Sequence, residues 1–396
     1  MNKEGNTFAP SGRIPYLDMA RGIGVVLMVV GHLLGSLEAT DPKAWFVPVK
    51  HVIVSFHMPL FFILAGMMIG VTCGESRTMQ ENLKRKARTL LVPYAFFSVC
   101  YMVIGLVTYV QNPGEIEVSL LWKQLIFSVT FRGISVLWFL PALFIAEGIF
   151  LCARNRLGVR KGSILIAVLG ICMLFMEPVV HARCWENGGY GMVALGAVIL
   201  TVTRGILAAS MLLFGWFLFR WMRSLDKAVS VDRMAGAAEN RSPVGERMGF
   251  LRNLAGFAVG TMLVIGCSAL SFCNRSVDLN YMIFGNIGLY IVCSLGSSAG
   301  VILMCRFCHP VKLLCFLGEH SLVIMATHMD FRILKMAISC GYFVSERIAR
   351  AKEWMFFGTI AVVILAVEVV VILLFRYVLF QVIGRKNPWN SSRTIA

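Results

Sequence analysis

Residues 13–35 read RIPYLDMARGIGVVLMVVGHLLG, and residues 51–70 read HVIVSFHMPLFFILAGMMIG. Each is an apolar run long enough to cross about 30 Å of hydrocarbon at 1.5 Å per helical residue. Each also carries ionisable groups: Asp18, Arg21 and His32 in the first, His57 in the second. A charge inside a bilayer is expensive, so such residues face protein or a water-filled cavity and mark working sites by default. Arg21 and His32 lie eleven residues apart. That is ~1100° of helical rotation, or ~20° net, so they share a face about 16 Å apart along the axis. Asp18 precedes Arg21 by one turn and can pair with it. If the two spans are antiparallel, His57 sits about two turns inside the outer end and level with His32, so the imidazoles can face each other. Gly31 and Gly35 form a GxxxG beside His32, a spacing that lets a neighbouring backbone approach.

Comparable apolar runs recur near 90–110, 135–153, 163–180, 204–222, 254–273, 281–304, 313–340 and 355–380. With the first two they predict an all-α, polytopic integral membrane protein of about ten transmembrane helices. The long ninth run admits a break after Cys315, and Val118 to Arg132 reads as an interfacial helix. The composition agrees: 58% of residues are apolar and 15% charged, with a mean hydropathy of +0.76. Soluble domains sit near 45–50% and about 25%. No long polar stretch separates the runs, so residues 1–396 read as one membrane domain, with a flexible cytoplasmic loop near 223–252. The polar start and the charges in the first run indicate an uncleaved span, since a signal peptide has a shorter, uncharged apolar core.

The net charge of +16 would point to nucleic acid in a soluble protein. Here no Lys/Arg block interleaves with aromatics as a nucleic-acid face requires, and that class is excluded. Topology accounts for the charge instead. With the N-terminus inside, 23 of the 37 Lys and Arg fall in inner segments and 10 in outer ones, the bias expected for N-in, C-in. Most cysteines lie inside apolar runs as small hydrophobes. Cys305 and Cys308 with His309 supply too few ligands for zinc, so no metal site is expected. The absence of an internal repeat counts mildly against an inverted-repeat transporter.

Lys84-Arg85-Lys86-Ala87-Arg88 follows the second span at the cytoplasmic mouth. Alone it reads first as a topology signal, just as Asp18–Arg21 is equally a structural ion pair and His51 reads as a packing residue at an interface. Their coincidence favours function: an imidazole pair, a cation below it, and an anion-binding cluster beneath both.

Several phrases resemble the acyltransferase-3 family of membrane O-acyltransferases, particularly its fucose 4-O-acetylase-like branch. They are LDMARG (Leu17 to Gly22) followed by Gly31-His32, FHMPLFFILAG (Phe56 to Gly66), RKAR (Arg85 to Arg88), WFLPALF (Trp138 to Phe144) and LGEHSLVIMATH (Leu317 to His328). As an ordered set they cover most of the chain. Departures touch packing: Ala65 stands where Ser is usual, Ala20 where Leu or Phe is frequent, and MATH replaces an aromatic-containing ending. The resemblance implies acetyl transfer from cytoplasmic acetyl-CoA to a hydroxyl of a cell-surface glycan or glycolipid, at the bacterial cytoplasmic membrane, with no permanently bound cofactor. It implies His32 or His57 as the base, with Asp18 and Arg21 in the catalytic set. Arg85 and Arg88 would fork onto the coenzyme phosphates, and Arg21 would hold the pyrophosphate or guide the pantetheine arm. Trp138 would stack on a sugar, or else serve as an aromatic-belt residue. Glu147 and His328 would line the cavity. Glu368 belongs to no motif and reads as a helix–helix hydrogen bonder. The rival reading is a transporter moving a small acid or amino acid along the same His/Arg path.

Overall fold

A computed structural model describes residues 14–39, 43, 45–72, 78–112, 117–182, 185, 189–235, 243–274, 277–329, 331–347, 353–379 and 381–382, with backbone alone for 227–235, 243–248 and 354. The helices are α1 (Pro15–Glu38), α2 (Phe46–Thr72), α3 (Met79–Gln111), α4 (Val118–Val129), α5 (Phe139–Met173), α6 (Glu177–Val180) and α7 (Gly189–Ala235). They continue with α8 (Pro243–Ser271), α9 (Ile287–Phe307), α10 (Lys312–Glu319), α11 (Ser321–Thr327), α12 (Ile333–Arg347) and α13 (Glu353–Tyr377). A 3₁₀ turn, Ser135–Trp138, precedes α5.

Among the described residues eight helices are long and apolar enough to cross a membrane. The chain is therefore an all-α, polytopic membrane protein. Two features separate eight from the expected ten. The fourth and fifth runs join in α5, which turns at Gly158 with φ 73° and ψ 175°. The ninth run is split into α10, α11 and α12, each too short to cross alone. The stretch expected as a loop near 223–252 is helical to Ala235 and again from Pro243, and residues 236–242 lie outside the described residues. The segment expected as an interfacial helix forms α4, twelve residues with none buried.

The backbone at Gly158 occupies a region open essentially to glycine alone. A Cβ there would meet nothing within 4 Å, so only the backbone opposes a side chain. Gly158→Ala is expected to lower stability by about 1–3 kcal/mol, measured as a drop in the thermal unfolding midpoint in detergent. An unchanged midpoint would mean that the kink is not held.

The chain divides into two compact units. The first holds α1, α2, the part of α5 from residue 156, the part of α7 from residue 207, and α8, α9 and α10. Its helices cross through reciprocal glycines. A Cβ on Gly22 would run into the Leu314 carbonyl oxygen, and one on Gly318 into that of Asp18, so α1 and α10 meet backbone to backbone. Gly66 and Gly215 do the same for α2 and α7, against the carbonyls of Leu212 and Ile63. Small residues admit such approach, and interhelical van der Waals packing replaces the hydrophobic drive missing in lipid. The GxxxG beside His32 works differently. Gly31 and Gly35 face side chains of α2, with Ile53 3.1 Å and Lys50 3.6 Å from where a Cβ would stand. His51 Nε2–H donates to the Ser271 carbonyl at 2.7 Å and stacks on Phe272, which makes it a packing residue tying α2 to α8.

The second unit holds α3, α4, the 3₁₀ turn, α5 to residue 155, α6, α7 to residue 206, and α11, α12 and α13. Phe97 of α3 packs on Phe331 and Phe375, and Tyr101 donates its hydroxyl to the Ala326 carbonyl. Tyr94 donates to the Ser128 carbonyl at 2.8 Å, anchoring the end of α4. The following link takes positive φ at Phe131, Gly133 and Ser135 and delivers Trp138 to the start of α5.

Candidate functional site

In the first unit the site starts at Pro15, whose fixed φ suits the first helical position. One turn on, Asp18 Oδ1 lies 3.4 Å from Arg21 Nη1, with the side chains 17% and 25% exposed. This is the pair that the spacing predicts. The glycine that follows, Gly22, is the one that admits α10. The LDMARG phrase and the LGE phrase at 317–319 are thus joined in space by Gly22 and Gly318.

α1 runs unbroken from Pro15 to Glu38, so His32 keeps the face of Arg21 that the eleven-residue spacing assigns. His57 in α2 lies close enough to His32 for the two imidazoles to interact electrostatically. The ring nitrogens of His57 have distinct roles. Nδ1 is 2.9 Å from the Ile53 carbonyl oxygen, and a carbonyl only accepts, so Nδ1 carries the proton. The neutral ring then holds its lone pair on Nε2, which has no hydrogen-bond partner among the described residues. That lone pair is available to accept a proton or a hydrogen bond.

Lys50 is a neighbour that sequence reading places only in the outer charge count. Its Nζ lies 2.6 Å from Glu38 Oε2, it packs over Gly35, and it is within electrostatic range of His32. A cation paired with a carboxylate thus lies near His32, at the Glu38 end of α1.

In the second unit, α3 starts with a capping box in which Glu81 N–H donates to Thr78 Oγ1 and Thr78 N–H to Glu81 Oε2. The basic cluster follows in the next turns. Lys84, Arg85 and Arg88 are all exposed. Arg85 and Arg88 share a face at i,i+3. Lys86 turns inward instead, with Nζ 2.7 Å from Oε1 of the buried Glu147.

Trp138 is buried rather than presented to solvent, with the Arg204 guanidinium 5.2 Å from its ring. Arg204 is itself buried, and its Nη1 donates to the Arg132 carbonyl at 3.0 Å. Sequence reading misses this arginine because it places the span at 204–222, whereas the helix begins at Gly189. His328, fully buried after α11, donates Nδ1–H to the Ile324 carbonyl at 2.8 Å. Its neighbour Thr327 lies 3.1 Å from both carboxylate oxygens of Glu368, the helix–helix bond expected of that residue.

The profile of a family described as an acyltransferase domain, acyltransferase-3, matches residues 14–380. The nodulation protein NolL of Mesorhizobium japonicum (strain LMG 29417) is 32% identical over 132 residues, 33% of this chain and 33% of NolL. The match thus spans about a third of that curated relative's length. No solved structure matches the chain.

Proposed function

The chain belongs to the acyltransferase-3 family and is a multi-pass membrane acyltransferase, and we propose that it moves acetyl from cytoplasmic acetyl-CoA to a hydroxyl of a cell-surface glycan or glycolipid. The bacterial cytoplasmic membrane, with both termini inside, is its proposed location. The observation that carries the reading is the free Nε2 of His57 beside His32. In the proposed step this nitrogen takes the acceptor's hydroxyl proton as the oxygen attacks the thioester carbonyl. The C–O bond forms, the C–S bond breaks with its electrons on sulfur, and the proton passes to the thiolate. Neutral histidine is well matched to this exchange near pH 7. His32 supports His57, Arg21 held by Asp18 guides the donor, and Trp138 under Arg204 packs the start of α5. The acceptor class follows the resemblance carried by the motif phrases. Mass spectrometry of surface glycans from cells with and without the chain tests it. An acetyl group should be lost on deletion and restored by the intact chain, and unchanged glycans would refute the acceptor class.

Arg85 and Arg88 are proposed to grip the coenzyme's phosphates through charge-assisted, bidentate hydrogen bonds. Replacing both by Ala should raise KM for acetyl-CoA about tenfold or more while the maximal rate falls less. Unchanged donor affinity with impaired insertion would reduce the cluster to a topology signal.

A further inference from the structure

The basic cluster at the start of α3 is not one block. Arg85 and Arg88 keep solvent access, whereas Lys86 is drawn to Glu147, whose side chain is 2% exposed. Glu147 Oε1 takes the lysine at 2.7 Å. Its second oxygen, Oε2, is buried and has no hydrogen-bond partner among the described residues. An unsatisfied buried polar group is costly, and more so when charged. A buried ion pair that served only structure would need its remaining lone pairs filled to offset desolvation. The second oxygen of Glu147 is not filled by the described protein groups.

A ligand group that fits this atom must be a donor. A phosphate oxygen only accepts and is repelled by a carboxylate, so the phosphates stay at the two arginines. Beyond its phosphates an acyl-CoA continues as an uncharged arm whose secondary amides each offer one N–H. We propose that Glu147 Oε2 accepts an amide N–H of the pantetheine arm, with Lys86 holding the carboxylate in position, so that Glu147 selects thioesters carried on an amide-bearing arm. This rests on the reading of acyl-CoA as the donor. Glu147 then reads the arm and the arginines read the nucleotide end.

The two roles separate by ligand. Binding of coenzyme A, of pantetheine, and of pantetheine N-methylated at its amides is measured on the purified full chain in lipid nanodiscs. Glu147→Gln should weaken coenzyme A and pantetheine by a similar factor, about tenfold or more, as expected for a hydrogen bond to a charged group. Arg85→Ala with Arg88→Ala should weaken coenzyme A and leave pantetheine unchanged. N-methylation should weaken binding to the unaltered chain, and Glu147→Gln should add nothing to that loss. The inference is overturned if N-methylation leaves affinity unchanged, a result that needs no altered protein and so does not depend on the variant folding. It is also overturned if Glu147→Gln weakens coenzyme A but not pantetheine, because the carboxylate would then act only through Lys86. If the arginine variant binds coenzyme A normally while the arm effects persist, the phosphate assignment fails and the reading of the arm stands. If the unaltered chain binds neither ligand, both fall.

Discussion

His57→Ala should slow acyl transfer by about 10²–10⁴-fold, the usual cost of removing a general base, while the chain stays inserted and folded. The expectation rests on one hydrogen bond. Because Nδ1–H is committed to the Ile53 carbonyl at 2.9 Å, the reactive lone pair is on Nε2 and its direction is set by the backbone of α2. His57→Gln keeps much of the volume but supplies no base, so it should be nearly as slow. His32→Ala should also impair the reaction, by less if His32 only supports its neighbour. Turnover is read as coenzyme thiol released at saturating acetyl-CoA. Near-normal rates in His57→Ala with a large loss in His32→Ala would reverse the two assignments.

The second large effect is structural. Gly22→Ala should destabilise the chain by at least about 1–3 kcal/mol, since the new methyl group would strike the Leu314 carbonyl. Gly318→Ala should do the same from the other side, against the Asp18 carbonyl. Backbone cannot rotate away as a side chain can, so α1 and α10 must separate. That separation would disturb Asp18 and Arg21, and activity should fall with stability. Gly266→Ala in α8 is the control. A Cβ there meets nothing within 4 Å, and Ala favours a helix over Gly by up to about 1 kcal/mol. Equal unfolding midpoints for Gly22→Ala and Gly266→Ala would show that the crossing is looser than described.

Much of this is legible in the sequence, for physical reasons that differ by residue. Apolar length is read directly, so each of the first three runs falls within one helix, although α2 and α3 begin well ahead of their runs, at Phe46 and Met79. The Asp18–Arg21 pair follows from helical spacing alone. Hydropathy says less where apolar character is continuous. It admits a break in the ninth run but places it after Cys315, which lies inside α10, whereas the helices part at His320 and again between Thr327 and Ile333. It also does not fix which part of the 47-residue α7 forms a span, and so it leaves Arg204 in an outer segment. Within the basic cluster, neighbours differ by about 100° around the helix. A run of adjacent cations therefore hides that Lys86 faces a buried acid while Arg85 and Arg88 keep solvent access. The meeting of Gly22 with α10 joins residues far apart in the chain, and only the fold shows it.

Acetyl transfer with a histidine base is read out by one assay on the purified chain in lipid. Acetyl-CoA and a surface glycan are supplied, and coenzyme thiol and acetyl ester are measured together. One thiol should appear per ester formed, and both should fall by about 10²–10⁴-fold in His57→Ala. A folded chain that forms no ester and releases no thiol, yet carries a small acid across the bilayer, would contradict the account.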